Sequence, residues 1–264
     1  MKLNDTDHAE LAARLYQAIK TGQGIDPPSE TIDYVFEDAY RVRRKLVDLL
    51  IADGGVPKGH KIGFTSDAMQ KMYGMTGPDF GILLEHMFVE AGTPVSVGSL
   101  CDTRAEPELA FELAHPLEGP GVTVADALAA SSRVVAAIEV IDSRVGAMRA
   151  AASDSLSDNA GAGFVVLGSV SLSPDDAALA EVTLTMEVDG QAQSAPAGDV
   201  MGHPAAPLAW LANKLPELQG LGGALKPGDI VITGAPVKSV AVKPGSSLHA
   251  TFGPFGSIDI DFIE

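Results

Sequence analysis

The chain has 264 residues, of which 46% are hydrophobic and 20% charged, and its formal net charge is −17. Its length suits one large domain, or one domain with a helical appendage, and its apolar fraction excludes a disordered chain. The negative charge argues against a nucleic-acid partner and against an anionic membrane surface, because phosphate groups would be repelled. An acidic protein can still bind an anionic small molecule if a metal inverts the local field.

The sequence favours a cytoplasmic protein. Cys101 is the only cysteine, so no intrachain disulfide can form, which is typical of a reducing compartment. The N-terminal residues have no apolar core of the signal-peptide kind. A membrane span is not expected either, since no stretch of about 18 apolar residues occurs.

The first part of the chain is predicted to be helical. Leu11, Leu15 and Ile19 recur at helical spacing, and a second amphipathic helix is expected over 32–51. The later residues form short β-type runs between glycines and prolines. Strands are predicted over 164–167, 182–188 and 230–233, and helices over 124–133 and 204–215. The expected class is α+β, with an N-terminal helical segment at 1–57 and a mostly β catalytic domain at 58–264.

Three glutamates lie in segments that otherwise resemble buried strands. Glu106 and Glu108 are two residues apart, so a strand would place both on one face, about 7 Å apart at their Cα atoms. Glu139 lies in a separate apolar run. Because an unpaired buried carboxylate is costly, convergence on one hard cation such as Mg²⁺, Mn²⁺ or Ca²⁺ is one explanation. Pro107, between the first two glutamates, indicates an edge strand or a bulge.

The alternative explanation for these glutamates is a set of structural ion pairs. Arg104, Arg133 and Arg144 lie close in sequence and are the candidate partners. The pattern alone leaves the metal site and the ion pairs equally open.

Two further residues are candidates for proton transfer. Lys61 is followed by an isoleucine and a glycine, which lets backbone approach closely, so it could bind a carboxylate or move a proton. A surface lysine at a strand end is the alternative. Asp79 follows Pro78 in a predicted turn, where it would be a turn residue, or a catalytic group if burial raised its pKa.

A glycine-rich loop at 157–163 leads into a predicted strand. A Rossmann or P-loop nucleotide site needs the reverse order, in which a strand leads through the loop into a helix. The loop could instead present backbone N–H groups to a substrate carboxylate, or it could be a plain connection.

Seven segments in order resemble the 2-hydroxypenta-2,4-dienoate hydratase group of the fumarylacetoacetate hydrolase superfamily. The resemblance covers residues 30–264 approximately. The segments are 60–66, 78–81, 104–110, 137–144, 157–159, 202–204 and 226–234.

The resemblance implies a mixed β-roll fold with an N-terminal helical part. It implies Mg²⁺ or Mn²⁺ on the three glutamates, with Lys61 and Asp79 in the active site. It also implies hydration of a small 2-oxo acid or its dienol in meta-cleavage catabolism of aromatic compounds, by a homo-oligomer that could form a complex with a sequential pathway enzyme. The candidates for orienting substrate and water are Ser157, Asp158, Asn159 and Thr233.

Other activities remain open within this resemblance. The 2-oxo-3-hexenedioate (4-oxalocrotonate) decarboxylases share the glutamates and the lysine motif, but the position of Asp79 is usually not acidic in them, which favours a hydratase. The C–C hydrolases of the superfamily carry a His–Glu dyad that this sequence does not show. A non-catalytic protein that binds a 2-oxo acid is the alternative outside enzymes. Pro107 and residues 160–163 depart from the hydratase pattern and leave the exact substrate open.

Overall fold

The computed structural model describes residues 3–66, 70–71, 73–146, 149–175, 178–218 and 224–264. Helices and strands alternate irregularly within these ranges. The α-helices are α1 (Asp5–Thr21), α2 (Phe36–Ala52), α3 (Val124–Ala130), α4 (Ala152–Ser157) and α5 (Ala206–Lys214). The strands are β1 (Pro57–Gly63), β2 (Asp79–Leu84), β3 (Phe88–Glu90), β4 (Val95–Ser96), β5 (Thr103–Leu113), β6 (Ser131–Asp142), β7 (Phe164–Leu172), β8 (Thr183–Val188), β9 (Gln191–Pro196), β10 (Ile230–Ile232), β11 (Val240–Ala241), β12 (Ser247–Thr251) and β13 (Ser257–Ile263).

Local hydrogen bonds fix the limits of the two N-terminal helices. The Asn4 side chain accepts from two backbone N–H groups at the start of α1, and Gly22, in the left-handed region at φ 66°, ends that helix. The second helix begins at Phe36, later than predicted. The Val35 N–H donates to the Asp38 carboxylate at 3.2 Å, which sets this start.

Two sheets form the rest of the fold. The larger has the strand order β2-β1-β10-β5-β6-β7-β3, and β11 also pairs with β5. The smaller has the order β4-β13-β12-β8-β9. Strands β5 and β6 pair antiparallel over most of their length, while β1 runs parallel to β10. Helices combined with mixed, curled sheets confirm the predicted fold class.

The two faces of the larger sheet pack against different elements. One face packs against the smaller sheet, and this core includes Phe111, Ile138 and Met186. The other face packs against α1, α2 and α4, in a core that includes Leu46 of α2 and Ala137 of β6. The N-terminal helices therefore cover one face of the sheet directly. The division at residue 57 stays a prediction.

One helix is shorter than predicted. The helix expected over 124–133 ends at Ala130, because the chain from Ser131 onward is β6 and pairs with β5. Within the described ranges, no helix is both long and apolar enough to cross a bilayer.

Candidate active site

The three glutamates converge on the sheet face that the helices cover. The β5–β6 register places Glu106 directly opposite Glu139, and Glu108 opposite Ala137. Because side chains two apart on a strand share a face, all three carboxylates point the same way. One ligand atom from each residue lies within 4.8 Å of the others. Glu108 and Glu139 are buried, and Glu106 is half-buried, so the cluster opens on the Glu106 side.

The donor set fits a divalent cation. Glu108 Oε2 accepts from the Gly234 N–H at 2.6 Å, and Glu139 Oε1 pairs with the Lys61 ammonium 3.2 Å away, but Glu108 Oε1 and Glu139 Oε2 have no hydrogen-bond partner. Buried acceptors without donors cost free energy, and two of them lie in one cluster. Carboxylate oxygens are the ligands that hard cations such as Mg²⁺ and Mn²⁺ prefer. Binding such an ion would satisfy the cluster.

The alternative of structural ion pairs is wrong for the described residues. Arg104 donates to the hydroxyl and the carbonyl of Ser239, at 2.7 and 2.8 Å. Arg133 pairs with Glu112 at 2.6 Å. Arg144 lies in a separate buried network with aspartates. None of the three arginines forms a salt bridge to the glutamate cluster.

Pro107 lies in a short stretch of β5 that has a paired neighbour strand on one side only. It pairs with Ile138 of β6 on one side. On its other side, the pairing with β11 reaches only Ala105 and the pairing with β10 begins at Ala110. A residue without an N–H is tolerated in such a gap. Of the two predicted alternatives, an edge or a bulge, the bulge does not occur at the proline, since the register shift of β5 against β6 comes after Glu112.

Lys61 on β1 joins the glutamate cluster. Its Nζ lies 3.2 Å from Glu139 Oε1 and donates to the Ala160 carbonyl at 3.1 Å. The side chain is buried, so the alternative of a surface lysine is wrong. Burial alone would lower its pKa, but the charges of the three glutamates together outweigh burial and raise the pKa of Lys61. The group is therefore an ammonium ion at neutral pH.

Glycine at position 81 makes room for this lysine. Gly81 is the antiparallel partner of Lys61. A Cβ at position 81 would lie 3.1 Å from Lys61 Cγ and 2.3 Å from the Asn159 carbonyl oxygen. A side chain there would displace either the lysine stem or the backbone at Asn159.

The carboxyl groups of the cluster have raised pKa values. Burial first, and then the charge of Glu139, raise the pKa of Glu106 to about 7. Burial and the two neighbouring glutamates raise the pKa of Glu108 well above its usual range. Protonation of either group relieves the repulsion when no cation is bound.

These shifts predict how stability depends on pH. A carboxyl whose folded pKa is raised contributes stability that is full below its unfolded pKa, about 4.3, and is lost as pH rises through the folded value. We expect the melting temperature of EDTA-treated protein to fall between pH 5 and pH 8, and Mg²⁺ to raise it more at pH 8. Differential scanning calorimetry at fixed ionic strength measures both. A Mg²⁺ effect that is equal at the two pH values would contradict the assignment.

Asp79 lies on the same sheet face as Lys61. It is the first residue of β2 and pairs with Gly63, two residues from Lys61 on β1. It is fully buried, so it is more than a turn residue. Its Oδ1 lies 3.2 Å from Arg43 Nη1, while its Oδ2 has no hydrogen-bond partner. Burial raises the pKa of Asp79, and the charges of Arg43 and Lys61 oppose this rise only partly.

The side chains of the four residues predicted to orient substrate all form hydrogen bonds within the chain. Ser157 Oγ donates to the Ser153 carbonyl at 2.9 Å. Asp158 accepts from the Arg144 side chain at 2.6 Å and from its N–H at 2.8 Å. Both residues are buried. Their side chains therefore serve the packing of α4 against its neighbours, and a role in binding substrate stays a prediction.

The other two of these residues hydrogen-bond to strands of the larger sheet. The Asn159 side chain accepts from the Ile82 N–H and donates to the Ile82 carbonyl, both at 2.8 Å, which ties the loop to β2. Thr233 Oγ1 donates to the Leu109 carbonyl at 3.1 Å. The loop after Asn159 presents the Ala160 carbonyl to Lys61, whereas the sequence left open N–H groups or a plain connection. A substrate contact of Asn159 or Thr233 stays a prediction.

Arg43 is the site residue that the sequence analysis missed. It lies on α2, and its side chain is fully buried against Asp79. A signal was present, because Arg43 is four residues from both Ala39 and Val47 on the apolar face of the predicted helix. A charged residue in that position needs a buried partner, but the helix alone does not identify it.

Comparisons with known proteins agree with this fold. The fumarylacetoacetate (FAA) hydrolase C-terminal family model matches residues 65–262. A 2-oxo-hept-4-ene-1,7-dioate hydratase from Escherichia coli is 37% identical, with 97% of this chain and 98% of that protein covered. A 2-keto-4-pentenoate hydratase from Burkholderia vietnamiensis is 36% identical, with 99% of each covered.

A solved structure extends the similarity over the whole fold. The 4-oxalocrotonate decarboxylase from Pseudomonas putida G7, complexed with magnesium and adipate, superposes with a TM-score of 0.93 at 28% identity. The alignment covers 99% of both chains. With the family model and the two hydratases, it shows that this chain belongs to the fumarylacetoacetate hydrolase family.

Proposed function

We propose that this protein is a hydro-lyase that adds water to a 2-hydroxy-2,4-dienoate (2-oxo-4-enoate) and forms a 4-hydroxy-2-oxo acid. The proposal places it in meta-cleavage catabolism of aromatic compounds. The observation that carries it is the buried cluster of three carboxylates beside Lys61, with Asp79 on the same sheet face. Relatives that are named hydratases, 36% and 37% identical over nearly the whole chain, support it.

In the proposed site, Glu106, Glu108 and Glu139 hold Mg²⁺ or Mn²⁺. A relative complexed with magnesium supports a divalent cation. Bound there, the cation would supply Lewis-acid stabilisation of the negative charge that develops on a 2-oxo acid as it enolises. Because Glu106 is only half-buried, a small anionic substrate can approach the cluster from its side.

Lys61 would orient the substrate and hold a proton near it. An ammonium group has three N–H donors. One direction is occupied by Glu139 and another by the Ala160 carbonyl, which leaves a donor for the substrate carboxylate or enol oxygen. Because both protein partners are fixed by β6 and by the loop after Asn159, the ammonium is already positioned before substrate binds.

Asp79 would transfer the proton at the far end of the dienol. Burial raises its pKa and so favours the protonated carboxyl, and its unpartnered Oδ2 is free to face the substrate. As the carboxylate, the same group can accept a proton from the attacking water. To play both parts, the Asp79 carboxyl must lie near the dienol carbon that is farthest from the glutamate cluster.

Changing Asp79 to Asn should therefore slow hydration by about 10²-fold or more, since the amide cannot transfer a proton. Mg²⁺ affinity should stay within error, because Asp79 is outside the glutamate cluster. Steady-state kinetics and isothermal titration calorimetry measure the two quantities. An unchanged rate would reduce Asp79 to a structural partner of Arg43.

The second candidate function is decarboxylation of 2-oxo-3-hexenedioate. The solved decarboxylase that superposes over 99% of the chain favours it, and both reactions need the same glutamates. The acidic residue at position 79 favours hydration. Offering each substrate separately distinguishes the two activities. A hydratase converts the dienol to a product that is heavier by one water, whereas a decarboxylase releases CO₂ from the dioate.

We also propose a cytoplasmic location, a homo-oligomer and a complex with a sequential pathway enzyme. A cytoplasmic location is supported by the single cysteine. A homo-oligomer, and a complex with a sequential pathway enzyme, follow from the family resemblance. The C–C hydrolase and the non-catalytic binder have no observation in their favour among the described residues.

A further inference from the structure

The side chain of Arg43 connects the N-terminal helical layer to the proposed active site. It extends from α2, outside the residues that the family model matches, and it is fully buried. Its Nη1 lies 3.2 Å from Asp79 Oδ1 and also donates to the Phe80 carbonyl. One guanidinium nitrogen thus contacts both the carboxyl of Asp79 and the backbone of the next residue.

Two aromatic rings hold the guanidinium in place. Its carbon lies 3.9 Å from the centroid of Phe80 and 4.7 Å from that of Tyr40. Contacts of this kind stabilise a cation, and a planar guanidinium stacks on them better than an ammonium does. Asp79 is its only salt-bridge partner within the described part of the chain. Because the guanidinium is fully buried, it cannot touch a substrate, and Asp79 is the charged group through which it can affect one.

We propose that Arg43 is a positioning residue, which fixes Asp79 by its Oδ1 and leaves Oδ2 directed at the substrate. The inference rests on the proposed function, in which Asp79 transfers a proton. The asymmetry of the carboxyl supports it: one oxygen is bound by Arg43, and the other is buried without a hydrogen-bond partner.

Of the titratable side chains near Asp79, Tyr40 and His60 are neutral, and Arg43 is the cation that contacts it from α2. Burial and the Asp79 charge raise the pKa of Tyr40 to about 12, so that side chain is neutral. Burial and the Arg43 charge lower the pKa of His60 on β1 to about 4, so the imidazole is neutral too. Lys61 on β1 is the second cation, but it is anchored to Glu139. Because Asp79 must be protonated to give its proton to the dienol, its pKa sets the alkaline limb of the pH profile, and removing Arg43 should move that limb to higher pH.

The test compares Arg43→Met and Arg43→Lys with a matched control on the same helix. Arg44→Met is the control, because Arg44 is exposed and pairs with Asp48. For Arg43→Met we expect kcat to fall at least about 10-fold, with KM and Mg²⁺ affinity little changed and the alkaline limb at higher pH. Arg43→Lys should keep the alkaline limb near its original position at a reduced kcat. An unmoved alkaline limb in Arg43→Met would overturn the proposal.

A double-mutant cycle with Asp79→Asn provides the second criterion. If Arg43 acts only through Asp79, Arg43→Met should cost no further activity once Asp79 is asparagine. The double variant also buries no unpaired charge, so it stays measurable even if Arg43→Met alone fails to fold. Losses that simply multiply would overturn the proposal.

An infrared measurement separates failure of this inference from failure of the proposed function. The carbonyl stretch of protonated Asp79, assigned by its loss in Asp79→Asn, reports its protonation without any turnover. At pH 7 this band should strengthen in Arg43→Met and stay unchanged in Arg44→Met. If the protein hydrates no dienol yet the band responds, the proposed function fails and the link between Arg43 and Asp79 stands. An unchanged band means that the link itself is wrong.

Discussion

Replacing Glu108 with glutamine should abolish Mg²⁺ binding and lower kcat by roughly 10³-fold or more. Glu108 is fully buried, its Oε1 has no hydrogen-bond partner, and it lies in the carboxylate cluster. Glutamine has nearly the same shape, so the change removes one anionic ligand with little disturbance of packing. Titration calorimetry with Mg²⁺ and dienol turnover at saturating metal measure the two effects.

The same variant should gain stability when no cation is present. In EDTA, Glu108→Gln should melt at a higher temperature than the unmodified protein, because it removes one of three buried, mutually repelling carboxylates. Higher stability together with lost activity would exclude misfolding as the cause. Glu112→Gln is the matched control on the same strand, where the carboxylate pairs with Arg133 and should not affect Mg²⁺ binding. Ordinary Mg²⁺ affinity in Glu108→Gln would refute the cluster as the metal site.

Replacing Lys61 with methionine should lower kcat by about 10²-fold or more. Methionine keeps an apolar stem of similar length and removes the ammonium that lies 3.2 Å from Glu139 Oε1. Mg²⁺ should still bind, since the cluster becomes more negative when Lys61 is lost. Steady-state kinetics with Mg²⁺ at saturation, and calorimetry for the metal, measure the separation of binding from turnover.

Lys58→Met is the control for Lys61. Lys58 lies on the same strand, and its Nζ donates to the Gly228 carbonyl at 2.9 Å, away from the carboxylates. Its loss should leave kcat close to that of the unmodified protein. A Lys61→Met variant with kcat within about threefold of the original would show that the ammonium has no part in proton transfer or substrate orientation.

Local sequence patterns identified the three glutamates as a candidate cluster, although they left a metal site and ion pairs equally open. Glu106 and Glu108 obey the period of a strand, and an apolar run around Glu139 made burial of its carboxylate expected. The structure places these three carboxylates together. The fold class could be predicted because the change from helical spacing to short β-type runs is visible along the chain.

Long-range pairings explain what the sequence could not predict. The register that sets Glu139 opposite Glu106 depends on the whole β5–β6 pair, and the gap beside Pro107 depends on where β10 and β11 end. The pairing of Arg43 with Asp79 joins α2 to β2, and no local pattern specifies it. The same reason applies to Asn159, whose side chain could be assigned to β2 only once the loop's position against that strand was known.

Hydration of a dienol by this protein should require a divalent cation on the three glutamates. The most direct measurement is the ultraviolet depletion of freshly generated 2-hydroxypenta-2,4-dienoate by EDTA-treated protein, titrated with Mg²⁺ and followed by product mass. We predict no depletion in EDTA, a rate that saturates with one Mg²⁺ per chain, and a product heavier by one water. Depletion at the same rate in EDTA, or a product without the added water, would contradict the account.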